Sequence, residues 1–373
     1  MGLLFAACAA ATDSTSSAGG PIDAGVPASK GLWHVVGQQA LAATATSEPF
    51  ALTPQTGVRS ILVRGQLAPP LAQDGLCLRL TDLQTAQGQP WSDPNGACPG
   101  CAQAPGSGFA QALWAANELP ADGLHLRVQV VACHSAQPVA LAALSTAGPY
   151  TFSLLTWHAP VLPAGQGMVS LRFAYAASAT PADRAAWAKP IAHAVSLLES
   201  AGLQVTVRAP LVLPVGAIAA PLQLGLGHAG DERKLESAVV AALNEAAPIG
   251  SHADANLDVV VAVAPCLDWT GVDGVPLRLL GHSTRMPGGP RGPDGASLVV
   301  VGTSNCQAPG AGDATRLGNV LAHEIGHFLG LGHDAAQPPS LMTADVADRG
   351  GAALSFTVQQ AARMRLNPVV AAP

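Results

Sequence analysis

Charge is what this chain has least of. Asp, Glu, Lys and Arg together make up only 11% of its 373 residues, less than half the roughly 25% usual in soluble proteins. Aromatic residues are also few, at 4%, which gives no sign of a carbohydrate-binding face. There is no dense Lys/Arg run, and 18 basic against 24 acidic residues leave a net charge of -6, so nucleic acid is not an expected partner. No uninterrupted apolar run approaches the roughly 20 residues of a membrane-spanning helix. What replaces charge is small residues: 40 Gly and 31 Pro within a chain that is 49% hydrophobic. That apolar content excludes a wholly disordered polymer, and the length favours about two domains.

Seven cysteines, Cys8, Cys77, Cys98, Cys101, Cys133, Cys266 and Cys306, leave an even six once Cys8 is set apart, which suits an oxidising compartment. Gly2 to Ala7 is a short apolar stretch ending at Cys8, followed by a polar Gly/Ser/Thr-rich segment from Thr12 to Ser29. This resembles the end of a bacterial lipoprotein signal peptide, which implies export, lipidation of Cys8 and a flexible tether over residues 1–30. Only Met1 to Ala7 precede the cysteine, short of a full basic and apolar leader.

From 31 to 163, short apolar runs are broken by Gly, Pro, Asp and Asn, the pattern of strands and turns. Leu124 to Val130 alternates strictly, with Leu and Val on one face and His125, Arg127 and Gln129 on the other, as in a half-buried antiparallel strand. An all-β, sandwich-like region is expected here, either an accessory domain that stays attached or a removable prosegment. Its four cysteines are expected to form two disulfides. The Cys98-Pro99-Gly100-Cys101 spacing also admits a metal or redox reading.

From 165 to 373 strands alternate with helices, which predicts an α/β layer. Val169 to Phe173 reads as a strand and Pro181 to Ala201 as one helix, with Thr180, Pro181 and Asp183 at its start and Gly202 at its end. There follow a strand at Leu203 to Val207, a helix at Asp231 to Ala246, apolar strands at Leu257 to Val263 and Ala296 to Val301, and helices at Ala314 to Leu329 and Phe356 to Leu366. Cys266 and Cys306 follow the two apolar strands at similar positions, which favours a disulfide between them. Asp254, Asn256 and Asp258 carry oxygens that can bind Ca²⁺, but they match no EF-hand and read better as a turn.

Residues 323 to 334 read HEIGHFLGLGHD. The pattern HExxHxxGxxH is expected by chance on the order of 10⁻⁵ times in a chain of this composition. On a helix, His323 and His327 lie one turn apart and can reach one tetrahedral Zn²⁺. Glu324 points to the side of that pair, placed to hold the metal's water and to act as general base. A continuing helix would carry His333 away from the metal, so the helix must stop. Gly330 can take the left-handed conformation that ends it. Three histidines leave one coordination position open, as in catalytic rather than structural zinc sites. His193, His228, His252 and His282 lack ligand spacing.

Here the sequence resembles the metzincin clan of zinc endopeptidases, whose extended motif is followed by a methionine turn. Ser340-Leu341-Met342-Thr343 looks like that turn. The resemblance implies that Met342 forms an apolar floor beneath the histidines and that Asp334 ties the end of the active-site helix to neighbouring backbone. Leu279 to Met286 takes the place of the substrate-binding edge strand, with Gly281, His282, Ser283 and Thr284 as groove candidates. The residue two past Met342 is Ala344, so a tyrosine that some families place there is absent. The implied activity is zinc-dependent hydrolysis of protein or peptide substrates, by an enzyme secreted or lipid-anchored at a bacterial envelope. Two other functions are a catalytically silent or latent binding protein with an adhesion-type β domain, and a zinc amidase acting on cell-wall peptide.

Overall fold

Alternation of small and branched apolar residues makes strands the dominant element, and the computed structural model contains fifteen strands and five helices among its described residues, a mixed α/β architecture with several sheets. The structure describes residues 33–40, 45–68, 76–92, 109–132, 137–139, 150–162, 167–219, 221–225, 228–246, 257–270, 276–277, 279–291, 296–306, 313–334, 340–344, 346 and 354–372. Strands and helices are numbered in chain order. Residues Gly31–Pro373 form one compact unit. Among the described residues no helix is long and apolar enough to cross a membrane.

The first part is a two-sheet sandwich. One sheet runs β1 (His34–Ala40), β7 (Thr151–Pro160), β3 (Val58–Ala68), β5 (Phe109–Ala115), and the other β2 (Phe50–Leu52), β6 (Leu124–Ala132), β4 (Leu76–Thr85). All of these pairings are antiparallel. In β6, Leu124, Leu126, Val128 and Val130 are buried while His125, Arg127 and Gln129 are partly exposed, the period-two pattern of a sheet with one face on a core. Ile61, Val63, Trp114, Phe152 and Leu154 fill the space from the facing sheet. β3 is different: six consecutive residues, Ser60 to Gly65 in the middle of the strand, are buried, so both of its faces are covered.

The second part is built on an eight-stranded mixed sheet. Its main path is β10 (Leu211–Leu213), β8 (Gly167–Ala176), β12 (Val259–Thr270), β15 (Leu298–Asn305), β14 (Gly281–Ser283), with β9 (Leu203–Val207) on β8, and β11 (Leu222–Gly225) and β13 (Pro276–Leu277) on β12. Alternate residues of the central strands feed two cores. Val259, Val261, Val299 and Val301 face α2 (Ala188–Ser200), α4 (Ala314–Phe328) and α5 (Val358–Met364), while Val260, Ala262, Leu298 and Val300 face α3 (Ala229–Ala246). A central strand buried on both sides must be apolar at every position, which is why Val259 to Ala264 carries no polar residue.

The helix expected over Pro181 to Ala201 is broken in two. α1 (Pro181–Ala186) has a capping box between Thr180 and Asp183 and ends at Trp187, where α2 begins. Pro190 has no N–H to give to Ala186, and its ring crowds that carbonyl. Short strands β2, β10, β11 and β13 were not anticipated, nor were β1 and β5.

Cys266 and Cys306 form a disulfide across the parallel β12–β15 pair, with Cα atoms 5.1 Å apart. Cys77 is also disulfide-bonded, whereas Cys8, Cys98, Cys101 and Cys133 lie outside the described residues. Asp258 does not stand in an open oxygen cluster. Its carboxylate meets Arg172 at 2.7 Å and Arg208 at 3.8 Å, so arginines take the place considered for Ca²⁺, and Asp254 and Asn256 lie outside the described residues.

The bridge closes a loop with a sequence separation of 40. Loop-closure entropy then predicts that replacing both Cys266 and Cys306 by Ser costs about 2–4 kcal/mol, measured as a lower denaturant midpoint, with the slope rising because the denatured chain without its cross-link is more open. A midpoint within error of the parent would show that β12–β15 pairing already restrains that loop in the unfolded ensemble.

Candidate metal centre

The helix that carries the motif is made by ordinary local rules. Asp313 caps α4 by accepting from the Arg316 N–H at 2.8 Å. From Leu317 to Phe328 every residue is buried, so this helix is an internal pillar. Gly318 is required where α4 crosses α2, because a Cβ there would come within 2.7 Å of the His193 ring. His193 itself bonds Asn319 at 2.9 Å, which gives it a packing role.

At the other end, Gly330 has φ +102°. Its N–H bonds the His327 carbonyl at 3.0 Å, and the Leu331 N–H bonds the Gly326 carbonyl at 3.0 Å. These two bonds are the Schellman arrangement that turns a chain off a helix. The turn brings His333 back, so that its Nε2 lies 3.1 Å from Nε2 of His327. One nitrogen from each of His323, His327 and His333 lies within 4.8 Å of the others, a cluster that can bind a metal ion and the one such cluster found among the described residues.

Orientation of the rings comes from the backbone. Nδ1 of His323 is 2.7 Å from the Leu341 carbonyl and Nδ1 of His327 is 2.8 Å from the Leu331 carbonyl. A carbonyl only accepts, so each Nδ1 carries the hydrogen and each Nε2 keeps its lone pair for a ligand. Burial lowers the pKa of all three histidines, to about 4 for His323 and well below the ordinary value for His327. Neutral imidazole is the form that binds metal. The donor set and its protonation therefore fit a nitrogen-preferring divalent ion such as zinc.

Met342 is fully buried, and a Cβ at Gly326 would fall 2.6 Å from its sulfur. Gly326 thus lets the methionine lie close against the helix turn between His323 and His327. The turn is tied in on several sides. The Asp334 N–H bonds the Met342 carbonyl at 2.8 Å. Gln360, from the capping box of α5, donates to Asp334 at 3.2 Å and to Ser340 at 3.3 Å. Gly326, Gln360 and the two acceptor carbonyls were not picked out from sequence. Gly326 falls at an unspecified position of the motif, and a carbonyl acceptor leaves no trace in residue identity.

Glu324 lies on the neighbouring face, buried against β14. A Cβ at Gly281 would stand 2.6 Å from Cγ of Glu324, and the Ser283 backbone N–H donates to its carboxylate. Burial raises its pKa to about 8, against the opposing effect of that bond. β14 is the terminal strand of its sheet path and runs antiparallel to β15. The side chains of its groove candidates mostly point elsewhere. His282 shares the face of Val300 and packs on Trp269 with ring centroids 4.1 Å apart. Ser283 donates to the Arg285 carbonyl at 3.0 Å. Thr284 is 1% exposed and exchanges two bonds with Leu298. What β14 offers toward Glu324 is backbone and the missing side chain of Gly281. Beyond it, Arg285 anchors the strand end through an ion pair with Glu236 of α3 at 2.7 Å.

No family model matches the chain, and no curated protein matches it. Among solved structures, metalloproteinase-II from Bacteroides fragilis is similar with 13% identity and a TM-score of 0.33, over 58% of this chain and 63% of that one. The chain therefore spans less than two thirds of that protein's length. A family two carbohydrate esterase from Cellvibrio japonicus has 10% identity and a TM-score of 0.13, over 63% of this chain and 81% of its own.

Proposed function

We propose that this chain is an exported zinc-dependent endopeptidase of the metzincin type. The observation that carries the reading is the convergence of three neutral imidazoles, two of them with Nδ1 held by a backbone carbonyl, beside a buried glutamate on the same helix. His323, His327 and His333 are the ligands. A bound zinc ion supplies a Lewis acid that polarises the scissile carbonyl.

The remaining chemistry belongs to side chains and backbone. Glu324, held by the Ser283 N–H, orients the attacking water, accepts its proton and passes that proton to the leaving amine. β14, at the end of its sheet path, supplies backbone groups that pair with an extended peptide, consistent with side chains there being turned inward. Met342 supports the rings from below and Asp334 holds the returning loop to the methionine turn. The disulfides at Cys266–Cys306 and Cys77 support export, with Cys8 as the attachment point of a lipid tether.

Digestion of denatured casein by the purified chain, with and without a zinc chelator and alongside metal analysis, tests this. Cleavage abolished by chelation and restored by zinc is expected. Glu324→Gln should retain about one zinc per chain and lose about 10²–10⁴-fold in kcat. His327→Ala should lose both metal and activity, whereas a catalytically silent binding protein would show zinc without cleavage in the parent itself. Gly281→Val should lower kcat at unchanged zinc content, because the added carbons displace Glu324 and leave the histidines in place. Full activity in Gly281→Val would show that β14 does not fix Glu324 sterically, whereas full activity in Glu324→Gln would remove Glu324 from the role of base.

A further inference from the structure

Where β7, β3 and β5 run side by side, the outer face of the β1-β7-β3-β5 sheet is shielded from water, although Val35 on β1 is exposed. Leu62, Leu113 and Trp157 project from it and pack with Trp33, Leu257 and Leu366, and among them stand two buried polar residues, Arg64 at 2% and Gln111 at 3% exposure. Gln111 Oε1 accepts from Arg64 at 3.2 and 3.3 Å, and its Nε2 donates to the Pro287 carbonyl at 3.3 Å and to Ser297 Oγ at 3.4 Å. Arg64 also donates to the Pro290 carbonyl at 3.5 Å and lies 4.1 Å from the Trp33 ring. Both side chains thus hold the segment 287–291.

That segment is in turn pressed against the end of α4. A Cβ at Gly289 would overlap Leu62 on one side, and a Cβ at Gly288 would overlap the Phe328 ring on the other. The Gly288 N–H donates to the Phe328 carbonyl at 2.7 Å, and Asn367 Nδ2 donates to that carbonyl and to the Gly288 carbonyl, both at 3.0 Å. Phe328 is in the last turn of α4, where carbonyls have no helical partner. Two residues further, Gly330 makes its turn with Leu113 beneath it, at 3.1 Å from the position of a Cβ. Arg363 closes the same junction, pairing with Glu118 at 3.1 Å and donating to the Leu113 carbonyl.

We propose that the β-sandwich is a permanent buttress of the metal helix, with Arg64 and Gln111 as positioning residues that fix the turn delivering His333. The proposal rests on the three-histidine metal site above. An antiparallel sheet commonly leaves one face to solvent. Here the outer face is covered as well along β7, β3 and β5, and part of that cover is the segment that caps the active-site helix. Removing the sandwich would expose Leu62, Leu113 and Trp157, strip the Pro287 and Pro290 carbonyls of buried donors, and leave the Gly330 turn without its support. Such a costly separation is a property of an integral layer rather than of a segment discarded on activation.

The test begins with the full chain carrying a site for a sequence-specific protease within residues 163–166. After cutting, the two pieces should co-elute in native gel filtration and retain zinc and hydrolysis. Gln111→Leu and Gln111→Glu, the latter keeping the acceptor for Arg64 but losing the donor to Pro287, should each weaken zinc affinity about tenfold and lower kcat with KM nearly unchanged, at parental far-UV circular dichroism. Separation of the pieces with a rise in hydrolysis would overturn the proposal by making the sandwich a prosegment. Parental zinc affinity in both Gln111 variants would overturn the positioning role. An intact parent that binds no zinc would instead bring down the metal site itself.

Discussion

One helix cannot deliver three imidazoles to a point. With 3.6 residues per turn, positions four apart face the same way and a position six further on faces elsewhere, so the third ring has to come from chain that has left the helix. Everything around the centre follows from that constraint. The helix must end sharply at Gly330 with its carbonyls satisfied, the returning strand of chain must be held, and the rings must keep one protonation state. The Gly330 and Leu331 bonds with the donors to Phe328, the bond from the Asp334 N–H to the Met342 carbonyl, and the Leu331 and Leu341 carbonyls meet these needs in turn. Most of these partners are backbone atoms, which makes the centre dependent on the path of the chain more than on side chains.

The path is held by layering. Strand alternation in the eight-stranded sheet divides Val259 and Val261 from Val260 and Ala262, giving α4 a packed floor while α3 holds the opposite face. The sandwich adds a further layer against the helix end. Low charge suits this design. With so many surfaces facing other layers, few positions remain where a solvated charge is useful, and several that are charged, such as Arg64, Arg285 and Glu236, are buried in polar contacts.

Much of the layout could be read from residues because its causes are local. Thr180 with Asp183, Asp313 ahead of α4, and Gly202 with φ +78° mark helix ends through side-chain caps and a left-handed glycine. The alternation of β6 and the apolar run of β12 give their burial directly. The ligand cluster is legible for the same reason, since its spacing is confined to eleven residues. Contacts between distant segments are different. Ile61, Leu62 and Val63 show that β3 is covered on both sides but not by what, and the pairing of Arg64 with Gln111 and Pro290 joins residues far apart in the chain. The break at Trp187 was concealed because Pro190 lies within an otherwise helical pattern, three residues after the position it disrupts.

The close approach of Gly281 to Glu324 ties two positions on different elements into one steric unit. A lineage that acquired a larger side chain on β14 would displace the carboxylate while all three histidines, their carbonyl partners and the methionine beneath them remained in place. The placement of that carboxylate therefore depends on the strand as well as on the helix, and it can be lost while the eleven-residue signature survives unaltered. The residue at 281 thus bears on where the Glu324 carboxylate stands as directly as the motif that contains it.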